Sequence, residues 1–124
     1  MLRFQASVHG GEQATASSLT VTFDGALAAL AALERLFIEP DGSFVWRGQA
    51  PDGKPWQVDG NLFDGDNRLA FAELKGFCQE NELNSLLAAF GWPDAKLVFQ
   101  LQHRGVFVGE EEFRRLAATE AGAV

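Results

Sequence analysis

Two histidines, one cysteine and a scatter of carboxylates are the residues of this chain whose types could do chemistry. Cys78 becomes a nucleophile only as a thiolate with a base in reach, and neither His9 nor His103 neighbours it in sequence. A lone cysteine at the end of an apolar strand reads instead as a small buried apolar residue. The two histidines could share a metal with Asp or Glu, but H-E-x-x-H is missing and the pair lies at opposite ends of the chain. Each stands near a glycine, Gly10 or Gly105, which predicts solvent-facing loops. No metal and no cofactor is expected.

The densest run of oxygen ligands is Asp59-Gly60-Asn61 through Asp64-Gly65-Asp66-Asn67. A calcium loop started at Asp64 needs Gly at its sixth place and an acid at its twelfth, where Leu69 and Lys75 stand, so a hairpin turn is the better reading. Glu73 shares its strand parity with Leu69 and Phe71, and half-burial would raise its pKa as a catalytic acid requires. Lys75, two residues on, predicts a rim ion pair instead. The three tryptophans offer flat faces for a sugar or peptide. Trp46 fits a strand period and Trp92 a helix stop, which leaves Trp56 as the exposed candidate. The candidate ligand-binding set is therefore Trp56, Phe71, Glu73 and Lys75, and no catalytic residue is assigned. No G-x-x-x-x-G-K-[ST], G-x-G-x-x-G or G-x-S-x-G occurs.

The elements that must position these residues follow from hydrophobic period. Leu2, Phe4, Ala6 and Val8 alternate with polar residues and predict a strand; Leu19, Val21 and Phe23 predict a short second one, after a loop over 10–18. Asp24 can cap a helix running to about Leu36. Within it, Leu27, Leu30, Leu33 and Leu36 recur every third residue among alanines and leave almost no polar face, so the helix is buried on several sides or covered by another chain. Leu27, Leu30 and Leu33 are the candidate interface.

Glu39-Pro40-Asp41-Gly42 and Ala50-Pro51-Asp52-Gly53 repeat one turn grammar, with Pro presetting φ and Gly accepting the left-handed region. With the turn at Asp64 to Asn67, they predict a four-strand meander over about 36–77. A tight last hairpin would pair Phe63 with Arg68, Gly60 with Phe71, whose ring could cover the bare glycine, and Trp56 with Lys75. Asn81 to Phe90 is an amphipathic helix stopped by Gly91-Trp92-Pro93. Leu97 to Gln102 is a strand that Val106 to Val108 extends. Glu110 opens a last helix with Glu110/Arg114 and Glu111/Arg115 at i, i+4.

These elements predict one α+β domain over 1–124: a curved, mainly antiparallel sheet of five or six strands with two or three helices on one face. At 124 residues, with 47% apolar residues, 11 Phe and 3 Trp, the chain can close a core without disulfides. A formal charge of −7 disfavours nucleic acid as a partner. The most apolar stretch, Ala26 to Leu33, is far short of a membrane span. No signal peptide is visible at the N-terminus, so the cytoplasm is the expected location.

The expected function is a small non-enzymatic interaction or accessory domain with a protein partner or self-association. The alternative is a small-ligand, peptide or carbohydrate binding domain using the concave sheet face. An enzyme comes third, and it requires His9 or His103 within reach of Cys78 or a carboxylate.

Overall fold

The computed structural model describes residues 1–12, 15–102 and 105–122. In chain order the elements are β1 (Leu2–Glu12), β2 (Thr15–Ser17), α1 (Phe23–Ala31), β3 (Leu36–Ile38), β4 (Ser43–Gln49), β5 (Pro55–Gly65) and β6 (Arg68–Cys78). They continue with α2 (Glu80–Ala89), β7 (Leu97–Leu101), β8 (Phe107–Gly109) and α3 (Glu110–Gly122). The strands form one curved, open, antiparallel sheet in the order β3-β4-β5-β6-β1-β7-β8, with β2 on the end of β1. The helices pack on one of its faces around one continuous core. The fold is α+β as the pattern implies, with eight strands where five or six are expected. The excess has two sources: β1 and β2 form a hairpin across the expected loop, and β8 turns back against β7 instead of extending it.

The repeated turn grammar builds the meander. The Gly42 N–H donates to the Glu39 carbonyl at 2.9 Å, and the Gly53 N–H to that of Ala50 at 2.8 Å. In each turn the aspartate side chain accepts from the backbone two residues on, Asp41 from Ser43 and Asp52 from Lys54, both at 3.0 Å. Gly42 and Gly53 sit at φ 94° and 85°, where a side chain is strained.

The pairing of β5 with β6 differs from the expected register, because the loop is the two residues Asp66 and Asn67 and not the four from Asp64 to Asn67. Gly65 pairs with Arg68 and Asp64 with Leu69, and then Phe63 pairs with Phe71, leaving Ala70 as the extra residue of a β-bulge. The bulged tip bonds a segment outside the meander: the Leu19 N–H donates to the Leu69 carbonyl and the Leu69 N–H to that of Val21, both at 2.9 Å. Leu19 to Val21 is thus no regular strand, although both its apolar members pack on the core. Because the register shifts, Phe44 of β4, and not Phe71, lies over Gly60. Trp56 likewise lies over Gly48 and meets Trp46 edge to face with ring centroids 4.9 Å apart.

Helix α1 is shorter than its leucine pattern implies. Thr22, not Asp24, is the N-cap, its Oγ1 accepting from the Gly25 N–H at 2.9 Å. The helix ends at Ala31, and Arg35 turns left-handed at φ 67° to start β3. Leu33 and Leu36 therefore leave the helix and meet the core from the connection and from β3. Leu30 is fully buried, Leu27 and Leu33 are half-buried, and alanines form the outer surface. The core takes Leu30 whole and Leu27 and Leu33 in part.

Helix α2 ends as its sequence predicts. The Gly91 and Trp92 N–H groups, each at 3.1 Å, reach back to the carbonyls of Ala88 and Leu87, a Schellman closure with Gly91 at φ 107°. Trp92 also ties this stop to α3, since its Nε1 donates to Glu110 at 2.7 Å. Arg114 bridges Glu110 and Glu80 at 2.7 and 2.8 Å. Arg115 pairs with Glu112 at i, i+3, not with Glu111.

Adding a Cβ at Gly60 would drive it into the Phe44 ring, whereas at Gly53 it meets open space and only backbone strain remains. We expect Gly60→Ala to lower unfolding stability by about 2–4 kcal/mol and Gly53→Ala by about 1 kcal/mol. Urea melts of the two variants check this; equal losses would contradict the packed glycine.

Candidate functional site

The bulge decides which side chains reach solvent on the sheet. Leu69 points into the helix-covered core, but beyond Ala70 the facing reverses, so Ala72, Leu74 and Cys78 are buried and Phe71, Glu73, Lys75 and Phe77 point the other way. On β1 the same opposite face carries Arg3, Gln5, Ser7 and His9, and on β5 it carries Gln57, Asp59, Asn61 and Phe63. Among the described residues no helix packs on this face. Antiparallel sheets tolerate one such solvated face.

Register aligns these side chains in rows across β5, β6 and β1. The rows are Gln57, Phe77 and Arg3; Asp59, Lys75 and Gln5; and Asn61, Glu73 and Ser7. A fourth is an aromatic ladder: Phe63 stacks on Phe71 at 4.5 Å between centroids, Phe71 on His9 at 5.3 Å, and Phe107 meets His9 edge-on at 5.2 Å. Ser7 Oγ and His9 Nε2 are hydrogen-bonded at 2.8 Å.

The first two rows line a half-open cavity of about 320 Å³ formed by Arg3, Gln5, Gln57, Asp59, Lys75 and Phe77, with Phe4 and Gly76 at its floor. Gly76 lies between the last two of these on β6, at φ 150°, and a Cβ there would collide with the Gln57 carbonyl. The Arg3 guanidinium lies over the Phe77 ring, 4.8 Å from its centroid. Gln57 donates to Asp59 at 3.0 Å. Lys75 is exposed and makes no ion pair among the described residues, so the expected Glu73–Lys75 rim pair does not form.

Of the candidate ligand-binding residues, Phe71, Glu73 and Lys75 share this face, and Trp56 does not. Trp56 is only 3% exposed and sits on the helix side against Trp46. The sequence reading singles out His9 but not Arg3, Gln5 or Ser7, whose alternation marks them as the non-core parity of β1 but carries no sign that the face holds a site. His9 is on a strand, not a loop, and its stacked environment lowers its pKa from 6.5 by desolvation. His103 lies outside the described residues.

Cys78 and His9 stand on opposite faces of the sheet and do not form a pair. Burial, with Glu82 and Glu80 adding repulsion, pushes the Cys78 thiol up to about 12, far from a reactive thiolate. Ser7 and His9 have the spacing of a nucleophile and base. Ser7 is only 5% exposed, however, and the backbone around it is engaged by β6 and β7 on both sides, leaving no N–H pair to hold an oxyanion. Among the described residues no three His, Cys, Asp or Glu side chains converge on a metal-sized site. No helix among them is long and apolar enough to cross a membrane. The arrangement offers stacking, amide hydrogen bonds and two cations, which is chemistry for holding a molecule.

Protein-family models, curated proteins and solved structures give no match to the chain.

Because burial lowers the His9 pKa, the unfolded chain binds its proton more readily than the folded one. Its contribution to stability is full above 6.5 and falls as the pH drops from there through the lower folded value. An NMR titration of the His9 ring should give a midpoint below 6.5, and Phe71→Ala should move it back toward 6.5; a wild-type midpoint at or above 6.5 would contradict the stacked burial.

Proposed function

We propose that this chain is a non-enzymatic binding domain whose helix-free sheet face is the recognition surface. The observation that carries the reading is a cavity of about 320 Å³ set in that face, one row of side chains away from the aromatic ladder. Ligand pockets span roughly 300–1,000 Å³, so this one suits a small ligand. Its lining combines the Phe4 and Phe77 rings with amide and charged groups, a mixture of apolar and polar contacts suited to holding a small molecule. The strands beneath are the central ones of the sheet, so the site stands on rigid elements.

The test is a ¹H–¹⁵N correlation spectrum of the protein titrated with single-ring probes of positive, zero and negative charge and with glucose. Perturbed amides should cluster over 3–9, 57–63 and 71–77. Perturbations confined to the helices, or none at millimolar probe, would overturn the reading.

A second reading, a self-associating or partner-binding protein domain, rests on Phe37, which is 67% exposed on the edge strand β3. Edge strands present unpaired backbone groups to a second chain. On this reading sedimentation equilibrium should show concentration-dependent mass that Phe37→Lys abolishes. A monomer unchanged up to high micromolar concentration would remove it.

A further inference from the structure

Resting on the open face as a recognition surface, we propose that its cavity binds a small planar carboxylate, held by Arg3 and Lys75. The charges of the molecule point to this place. In rows with the cavity the open face carries Arg3, Arg47 and Lys75 against Asp59 and Glu73. With Arg68, Glu12 and Asp64 counted, strands β1, β4, β5 and β6 carry four cations and four carboxylates, a neutral balance within a chain whose net charge is −7. Two of these cations, Arg3 and Lys75, line the cavity.

The chemistry of the lining selects among anions. Arg3 rests on Phe77, which orients its planar fork, and a guanidinium fork matches the two oxygens of a carboxylate. Lys75 adds a mobile ammonium two residues away on β6. Asp59, which shares its row with Lys75, leaves the lining at a net charge of +1, the complement of a monoanion; a phosphate dianion would face its repulsion. Gln5 and Gln57 supply neutral amide groups, and Phe77 with Gly76 and Phe4 supplies apolar surface for a flat ligand body. Asp59 accepts a hydrogen bond from the Gln57 amide at 3.0 Å within the lining.

The experiment compares four probes of similar size, benzoate, benzamide, phenyl phosphate and benzylammonium, by NMR titration of the full chain. Benzoate should bind at least about tenfold more tightly than benzamide, moving the amides of Arg3, Gln57, Lys75 and Phe77. Arg3→Gln and Lys75→Gln should each weaken benzoate by about tenfold and leave benzamide unchanged, with unaltered circular dichroism. Equal binding of benzoate and benzamide, or insensitivity to both substitutions, overturns the proposal. Tighter binding of phenyl phosphate or benzylammonium at the same amides overturns the carboxylate assignment while leaving the recognition surface standing. Absence of any open-face perturbation by all four overturns both. Because the wild-type probe series reads charge preference alone, the proposal stays testable should either variant fail to fold.

Discussion

One extra residue, Ala70, sets the facing of the longest strand pair in the molecule. Beyond the bulge, Ala72 and Leu74 fall in step with Leu62 and Gly60 on one side and with Val8 and Ala6 on the other, so three central strands turn one continuous apolar face to the helices. A β6 kept in phase with Leu69 would instead send Glu73 and Lys75 under the helices and Leu74 into water. Burying an ionised side chain costs several kcal/mol even after relaxation, against about 2 kcal/mol gained from a leucine. The bulge is held by its own bonds, the Leu69 N–H and carbonyl being satisfied by the 19–21 segment and not by the facing strand.

That dependence explains what the sequence revealed and what it concealed. The turns at Asp41-Gly42 and Asp52-Gly53, the alternation of β1 and the stop of α2 are local: each rests on residues within a few positions, and each takes the form its chemistry dictates. The bulge is not local. Leu69, Phe71 and Leu74 place apolar residues on both parities of β6, and alternation cannot tell which parity is core when both contain large hydrophobes. Trp56 reads as exposed only by elimination of the other two tryptophans; its parity on β5 is that of Val58 and Leu62, and its register partner Gly48 has no side chain, which makes room for the indole beneath the helices. The leucines at Leu33 and Leu36 continue a helical spacing in sequence alone; the left-handed Arg35, with the Trp46 indole bonded to the neighbouring Glu34 carbonyl at 2.8 Å, ends the helix before they join it.

The candidate site was legible only in part. Phe71, Glu73 and Lys75 lie on its face, but the residues completing it come from β1, which sits between β6 and β7 at the centre of the sheet. Pairing the first strand with β6 brings Arg3 beside Phe77 and His9 beside Phe71 across about half the length of the chain. Nothing near residue 3 or 9 announces those neighbours.

The distribution of charge separates what folding uses from what it leaves over. Asp41 and Asp52 close turns, Glu82 accepts from the Gln79 N–H at the start of α2, and Glu110 to Glu112 open α3, so much of the acidity serves backbone groups that need an acceptor or a favourable dipole. Acidity placed for such reasons implies no cationic partner. The cations of the open face are different: Lys75 closes no turn, caps no helix and makes no ion pair among the described residues, and Arg3 lies over the Phe77 ring with no ion pair among the described residues. The overall negative charge repels an approaching anion, yet at physiological salt charges beyond roughly 8 Å are largely screened. At the mouth of the cavity the nearest charges therefore govern, and these are Arg3, Lys75 and Asp59, with an excess of one positive charge.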